Sequence, residues 1–203
     1  MKIKIRGLEI SACHGVHGFE KTSPQRFIFD VDLTADFYTA AKEDDLNGTV
    51  NYSAVCSLIE TIAKDNVFNL IEKLAFECAF QITEKFPAVS KVKLTVNKPD
   101  APLKVKFQTV AAEAELERET VYLSLGSSEG DRKAYLDTAV EKLNKTRGVK
   151  VEKVSGYIET APVGGVAENT FLNCAVQIST VLLPRQLLKE INRIESECGR
   201  QRA

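Results

Sequence analysis

A carboxylate, a phenol, a second carboxylate and an amine, Glu20, Tyr52, Glu72 and Lys98, are the residues of the first 118 positions whose types suit proton transfer. Each alone is far more often a solvated surface group than a catalyst, because Glu and Lys are seldom buried. Position separates them. Glu20 and Gln25 fall in a polar, proline-containing loop between two apolar strand patterns, Tyr52 ends the link into a helix, and Lys98 follows a strand directly. Glu72 falls near the first turn of a second helix, where the macrodipole favours its ionised form; a capping role is the plain alternative.

Metal chemistry has little to build on. The two histidines, His14 and His17, have no CxxC or cysteine cluster beside them, and Cys13, Cys56, Cys78, Cys174 and Cys198 are scattered, as expected of reduced thiols in a cytoplasmic protein. Glu113, Glu115 and Glu117 alternate along one strand and could face a cation, but a solvated strand face explains them more simply. Gly126 to Arg132 follows a strand and opens a helix, as phosphate-binding loops do, yet lacks the Gly-Lys-Ser/Thr ending.

The elements that must position these groups fall into two sets. In the first, Ile3 and Ile5 open a strand, and Phe27, Phe29, Val31, Leu33 and Ala35 alternate with Asp30, Asp32, Thr34 and Asp36 along a second. Ser53 is placed to cap a helix carrying Val55, Leu58, Ile59 and Ile62, and a further helix repeats Ile71, Leu74, Ala75, Cys78 and Ile82 before Pro87. Two strands follow, Val92-Leu94-Val96 and about Phe107 to Glu117, separated by the loop Asn97 to Pro102. In the second set, a strand at 121–125 leads to a helix with Leu136, Val140 and Leu143. Strands from Val149 to Tyr157 and Phe171 to Leu183 come next, then a helix opened by Pro184. The expected class is α+β in two domains, 1–118 and 119–203, the second ending in mid-fold with a sheet edge uncovered.

Charge narrows the partners. The chain has 203 residues, with Lys plus Arg 27 against Asp plus Glu 28, and neither half is lopsided, so neither nucleic acid nor a membrane is an expected partner. The start alternates charge with isoleucine and has no apolar signal-like run.

Taken in order, Gly7-Leu8-Glu9, His14-Gly15-Val16, Glu20, Gln25-Arg26-Phe27, Val50-Asn51-Tyr52, Asn69 to Ala75 and Asn97 to Pro102 resemble dihydroneopterin aldolase from residue 1 to about 118. The resemblance implies a tunnelling fold, an antiparallel sheet with two helices that assembles into a homo-oligomeric ring, a tetramer or octamer with sites between subunits. It implies that Glu72 holds the aminopyrimidinone edge of a pterin, a task suited to a carboxylate accepting two parallel N–H bonds, with Ile71 and Gln25 also touching it. Lys98, Tyr52 and Glu20 would be catalytic, without a cofactor, in cleaving 7,8-dihydroneopterin to glycolaldehyde and 6-hydroxymethyl-7,8-dihydropterin.

The second set resembles the first half of 6-hydroxymethyl-7,8-dihydropterin pyrophosphokinase, through Leu125 to Arg132, Tyr157 to Gly165, Phe171-Leu172-Asn173 and Ile194 to Arg200. The implied fold is a partial ferredoxin-like α+β domain. Thr160, Ala161, Pro162, Val163, Phe171 and Asn173 would line a pterin pocket, and Asn192, Glu195, Arg200 and Arg202 the ATP side. Ser128 replaces the usual asparagine. The family's paired aspartates, which hold Mg2+ with ATP, have no counterpart before Ala203, so no metal-binding residue is assigned. Both resemblances concern one molecule, the product of one step being the substrate of the next in folate synthesis. The alternatives are an aldolase carrying a non-catalytic pterin-binding appendage, and an inactive ring-forming pterin-binding scaffold.

Overall fold

The computed structural model describes residues 1–162 and 169–199, which cluster into two compact units, Met1–Glu117 and Arg118–Ala203. In the first unit β1 (Lys2–Ala12), β2 (Gln25–Ala35), β3 (Val89–Lys98) and β4 (Val110–Glu117) form an antiparallel sheet in that order. Between β2 and β3 lie α1 (Tyr38–Glu43), α2 (Tyr52–Asp65) and α3 (Ile71–Lys85). The core is the inner face of the sheet under α2 and α3. Phe27, Phe29, Val31 and Leu33 of β2 and Val92, Leu94 and Val96 of β3 are fully buried, against Val55 and Ile59 of α2 and Leu74, Ala75 and Ile82 of α3. The outer face is ionic: Lys91 pairs with both Glu115 and Glu117, and Lys93 with Glu113, so each of the three glutamates of β4 has an ion-pair partner across the ladder.

One irregularity sets which residues β1 turns inward. Ile5 pairs with Val31 but Leu8 with Phe29, so β1 carries one extra residue, and Gly7 takes φ +66° there. The inward set therefore passes from Ile3 and Ile5 to Leu8, Ile10 and Ala12, and His14 continues it.

The sequence expectations need adjustment in places. Asn51, not Ser53, caps α2, its Oδ1 accepting from the N–H groups of Ser53 and Ala54 at 3.0 and 3.2 Å. The six-residue α1 was not anticipated, being too short to show a period. β4 begins at Val110 and not near Phe107, whereas β3 runs on through Asn97 and Lys98, which pair with Ala111 and Val110.

In the second unit β5 (Glu119–Ser127), β6 (Val149–Val154), β7 (Ile158–Thr160) and β8 (Phe171–Thr180) are antiparallel, with β8 central, flanked by β5 on one side and by β6 and β7 on the other. The run expected from Val149 to Tyr157 thus ends early, at Val154, with a separate short strand, β7, beginning just beyond it at Ile158, and β8 stops three residues before Leu183. Asp131 caps α4 (Arg132–Lys145) through the Ala134 N–H, and Pro184 begins α5 (Pro184–Glu197). Leu136 and Leu187 bury against Val176 and Ile178. No helix among the described residues is long and apolar enough to cross a membrane.

Candidate active site

Three strand ends of the first unit converge, and each contributes the polar residue that continues its apolar inner face. On β3 the buried series Val92, Leu94, Val96 ends at Lys98; on β2 Gln25 precedes Phe27 with the same parity; beyond β1, His14 follows Ala12. Lys98 and Gln25 are therefore strand residues and not loop residues, and their inward direction follows from the period of two. Glu20 comes from a 3-10 turn, Gly18–Lys21, that closes over this end.

The four make a dry polar cluster. Lys98 is 6% exposed and Glu20 2%. Lys98 Nζ donates to Glu20 Oε1 and, at 3.1 Å, to the His14 carbonyl, and lies 5.6 Å from the centre of the Phe27 ring. Gln25 Nε2 donates to the same two acceptors at 3.3 and 3.1 Å, and the His17 N–H reaches Glu20 Oε2 at 2.9 Å. Burial raises the Glu20 pKa, but Lys98 foremost, then the His17 N–H and Gln25, outweigh it and hold the carboxyl down at about 2. Glu20 is thus ionised at neutral pH. Gly15, at φ +151°, passes so close that a Cβ there would collide with the Glu20 carboxyl.

His14 is fully buried between Phe27 and Phe68, with ring centroids 5.2 and 5.5 Å away. Burial lowers its pKa to about 4, against the Ala63 carbonyl, which favours the proton, and with help from the Lys98 charge. From sequence alone His14 has no role beyond its place in the motif His14-Gly15-Val16. Its parity with Ile10 and Ala12 was the available signal, hidden by the bulge.

Glu72 and Tyr52 stand apart from this cluster. Both are exposed, Tyr52 at 62%, in the first turns of α3 and α2; Ile71 is half-buried. The start of α3 is nevertheless tied to the cluster, since the Phe68 N–H donates to His14 Nδ1 and the Gly15 N–H to the Phe68 carbonyl.

In the second unit Asn173 of β8 lies between Gly126 of β5 and Ile158 of β7, and its Nδ2 donates to Thr160 Oγ1 at 2.8 Å. Thr160 pairs with Phe171, so Thr160, Phe171 and Asn173 share one patch, followed by the exposed Ala161 and half-buried Pro162. A Cβ on Gly126 would come 2.5 Å from Asn173 Oδ1. An open cavity of about 760 Å³ brings Phe171 and Glu195 together with Leu123, Ser128 and Tyr135. Asn192 lies half-buried on α5. Val163, Arg200 and Arg202 lie outside the described residues. Among the described residues no group of three or more His, Cys, Asp or Glu side chains gathers to hold a metal ion.

An antiparallel sheet under two long helices with an acid–base cluster at its strand ends makes the first unit a tunnelling-fold module of the pterin-aldolase kind. Residues 3–115 match the family model for dihydroneopterin aldolase, and the chain belongs to that family; residues 122–203 match the model for 7,8-dihydro-6-hydroxymethylpterin-pyrophosphokinase. Among solved structures, Escherichia coli dihydroneopterin aldolase in complex with neopterin is 25% identical with a TM-score of 0.52, over 57% of this chain and 97% of that one. Among curated proteins, the bifunctional protein FolKE of Lactococcus lactis is 43% identical over 84 residues, 41% of this chain and 24% of that protein. The folic acid synthesis protein FOL1 of Dictyostelium discoideum is 27% identical over 226 residues, 98% of this chain and 34% of that protein. The chain thus spans between a quarter and about a third of the length of these two curated relatives.

Proposed function

We propose that this protein cleaves 7,8-dihydroneopterin to glycolaldehyde and 6-hydroxymethyl-7,8-dihydropterin in folate biosynthesis, in the module 1–118, and that the module 119–203 handles the product as the first part of a pyrophosphokinase. The observation that carries the reading is the buried Lys98–Glu20 pair at the strand ends of an aldolase-family fold. Retro-aldol cleavage removes a proton from the 2'-hydroxyl, breaks the C1'–C2' bond into the ring's own N5=C6 imine, and returns a proton to C1'. One proton leaves and one arrives. An ammonium and a carboxylate sharing a hydrogen bond suit that exchange without a net change of charge, and no cofactor is needed.

Glu72 and Ile71 would grip the pterin edge beside Gln25, and Tyr52 would join Lys98 and Glu20 in proton transfer. The exposure of Glu72 and Tyr52 supports a site completed by another copy, and so a homo-oligomeric ring, tetramer or octamer; β1 and β4 each have one edge unpaired among the described residues. In the second module Thr160, Ala161, Pro162, Val163, Phe171 and Asn173 would bind the pterin, and Asn192, Glu195, Arg200 and Arg202 the ATP, with Mg2+ required by the complete kinase. The free thiols of all five cysteines support a cytoplasmic location.

The test is direct. The purified chain, given 7,8-dihydroneopterin alone, is expected to release glycolaldehyde, and absence of release from the wild-type chain sinks the reading. Adding ATP and Mg2+ and assaying AMP decides the kinase half separately.

A further inference from the structure

We propose that His14 is a positioning residue that holds the Lys98 ammonium and the start of α3 in one frame, and so aligns the proton carrier with the helix that presents Ile71 and Glu72. The inference rests on the aldolase reading above. Two sets of bonds meet at this residue. Its carbonyl accepts from Lys98 Nζ and Gln25 Nε2, both at 3.1 Å, which fixes the amine against β1. Its ring Nδ1 accepts from the Phe68 N–H at 3.1 Å, and the neighbouring Gly15 N–H donates to the Phe68 carbonyl at 2.9 Å. Phe68 is two residues from Leu70, the N-cap of α3.

Packing alone does not call for an imidazole here. The ring is fully buried between Phe27 and Phe68, and its Nε2 makes no close hydrogen bond among the described residues, the Ala63 carbonyl being near enough only to favour the proton. An aliphatic side chain would fill that space without burying a weakly satisfied polar nitrogen, which is costly. What the imidazole adds is one acceptor, directed at the backbone that leads into α3. Neutrality is required, because an acceptor at Nδ1 must be unprotonated, and the adjacent Lys98 charge and the dry surroundings favour that form. A substrate held by α3 at one end and protonated from β3 at the other is sensitive to any shift between them. A displacement of about 1 Å can cost on the order of a hundredfold in rate.

The test compares His14→Leu, which keeps bulk and removes the acceptor, with His14→Asn, whose amide oxygen can accept at the place of Nδ1, in the full chain. His14→Leu is expected to lower kcat by about tenfold or more and to weaken binding of 6-hydroxymethyl-7,8-dihydropterin, with His14→Asn recovering most of both. Wild-type kcat in His14→Leu, or a His14→Asn variant as impaired as His14→Leu, overturns the proposal. If His14→Leu does not fold, His14→Gln takes its place, since its amide sits one carbon further out; Asn must then outperform Gln, and equality overturns the proposal. Amide exchange keeps this result distinct from the aldolase reading. Should the wild-type chain prove inactive, that reading falls and the catalytic role of His14 falls with it. The link itself still shows as faster exchange at Phe68 in His14→Leu than in His14→Asn, and no difference between the two overturns it.

Discussion

The two units place their candidate chemistry in opposite surroundings. In the first, Lys98, Glu20 and the His14 ring are buried, and Lys98 and Gln25 are hydrogen-bonded to Glu20 within the protein. In the second, Thr160 is exposed, Phe171 and Asn173 are half-buried, and Glu195 lines an open cavity. The difference teaches where preorganisation is concentrated. A group that moves protons gains from a dry, fixed partner, whereas groups that admit a flat heterocycle or a nucleotide must leave room for it.

The sharpest way to break the contrast is to remove the amine. Lys98→Ala is expected to lower kcat for glycolaldehyde release by about 10²- to 10⁴-fold. Loss of less than tenfold would show that the buried pair is structural. Glu20→Ala leaves the ammonium buried without its carboxylate and should cost the first unit about 3–5 kcal/mol in urea unfolding followed by NMR; unchanged unfolding would mean that solvent already reaches Lys98.

Acidity separates the units next. The folded His14 value of about 4 lies below its ordinary 6.5, so the unfolded chain binds the proton first. The stabilisation is whole above pH 6.5 and is lost as pH falls toward 4, by at most about 3 kcal/mol. Glu20, at about 2 against 4.5, extends the loss to lower pH. First-unit resonances should therefore melt ahead of second-unit ones on acidification. The glycines give the smallest test. Gly126→Ala meets only the tip of the Asn173 amide, which can swing, and should cost under about 1 kcal/mol of stability while weakening pterin binding by the second unit. Gly15→Ala, which meets the locked Glu20, should cost more than Gly126→Ala in the same unfolding experiment.

Much of this was legible in the residues. The alternation along β2, the apolar stripes of α2 and α3 and the motif order fixed the class of fold, because burial imposes those periods on sequence. Lys98 and Gln25 were legible as residue types but were misplaced into loops: a Lys after Val96 and a Gln before Phe27 look like strand terminators until cross-strand pairing extends the ladder over them. The partnership of Glu20 with Lys98, 78 residues apart, is tertiary and leaves no local trace. His14 was hidden for a third reason, the change of phase at Gly7.

That surplus residue makes the length of β1 separable from its facing. Ile5 and Leu8 stand opposite Val31 and Phe29, partners two apart, so excising Gly7 would heal the ladder and leave Leu8, Ile10, Ala12 and His14 pointing as they do. Replacing it with valine would instead strain a left-handed backbone that must stay where it is. At this point the molecule should forgive a shorter chain more readily than a bulkier one.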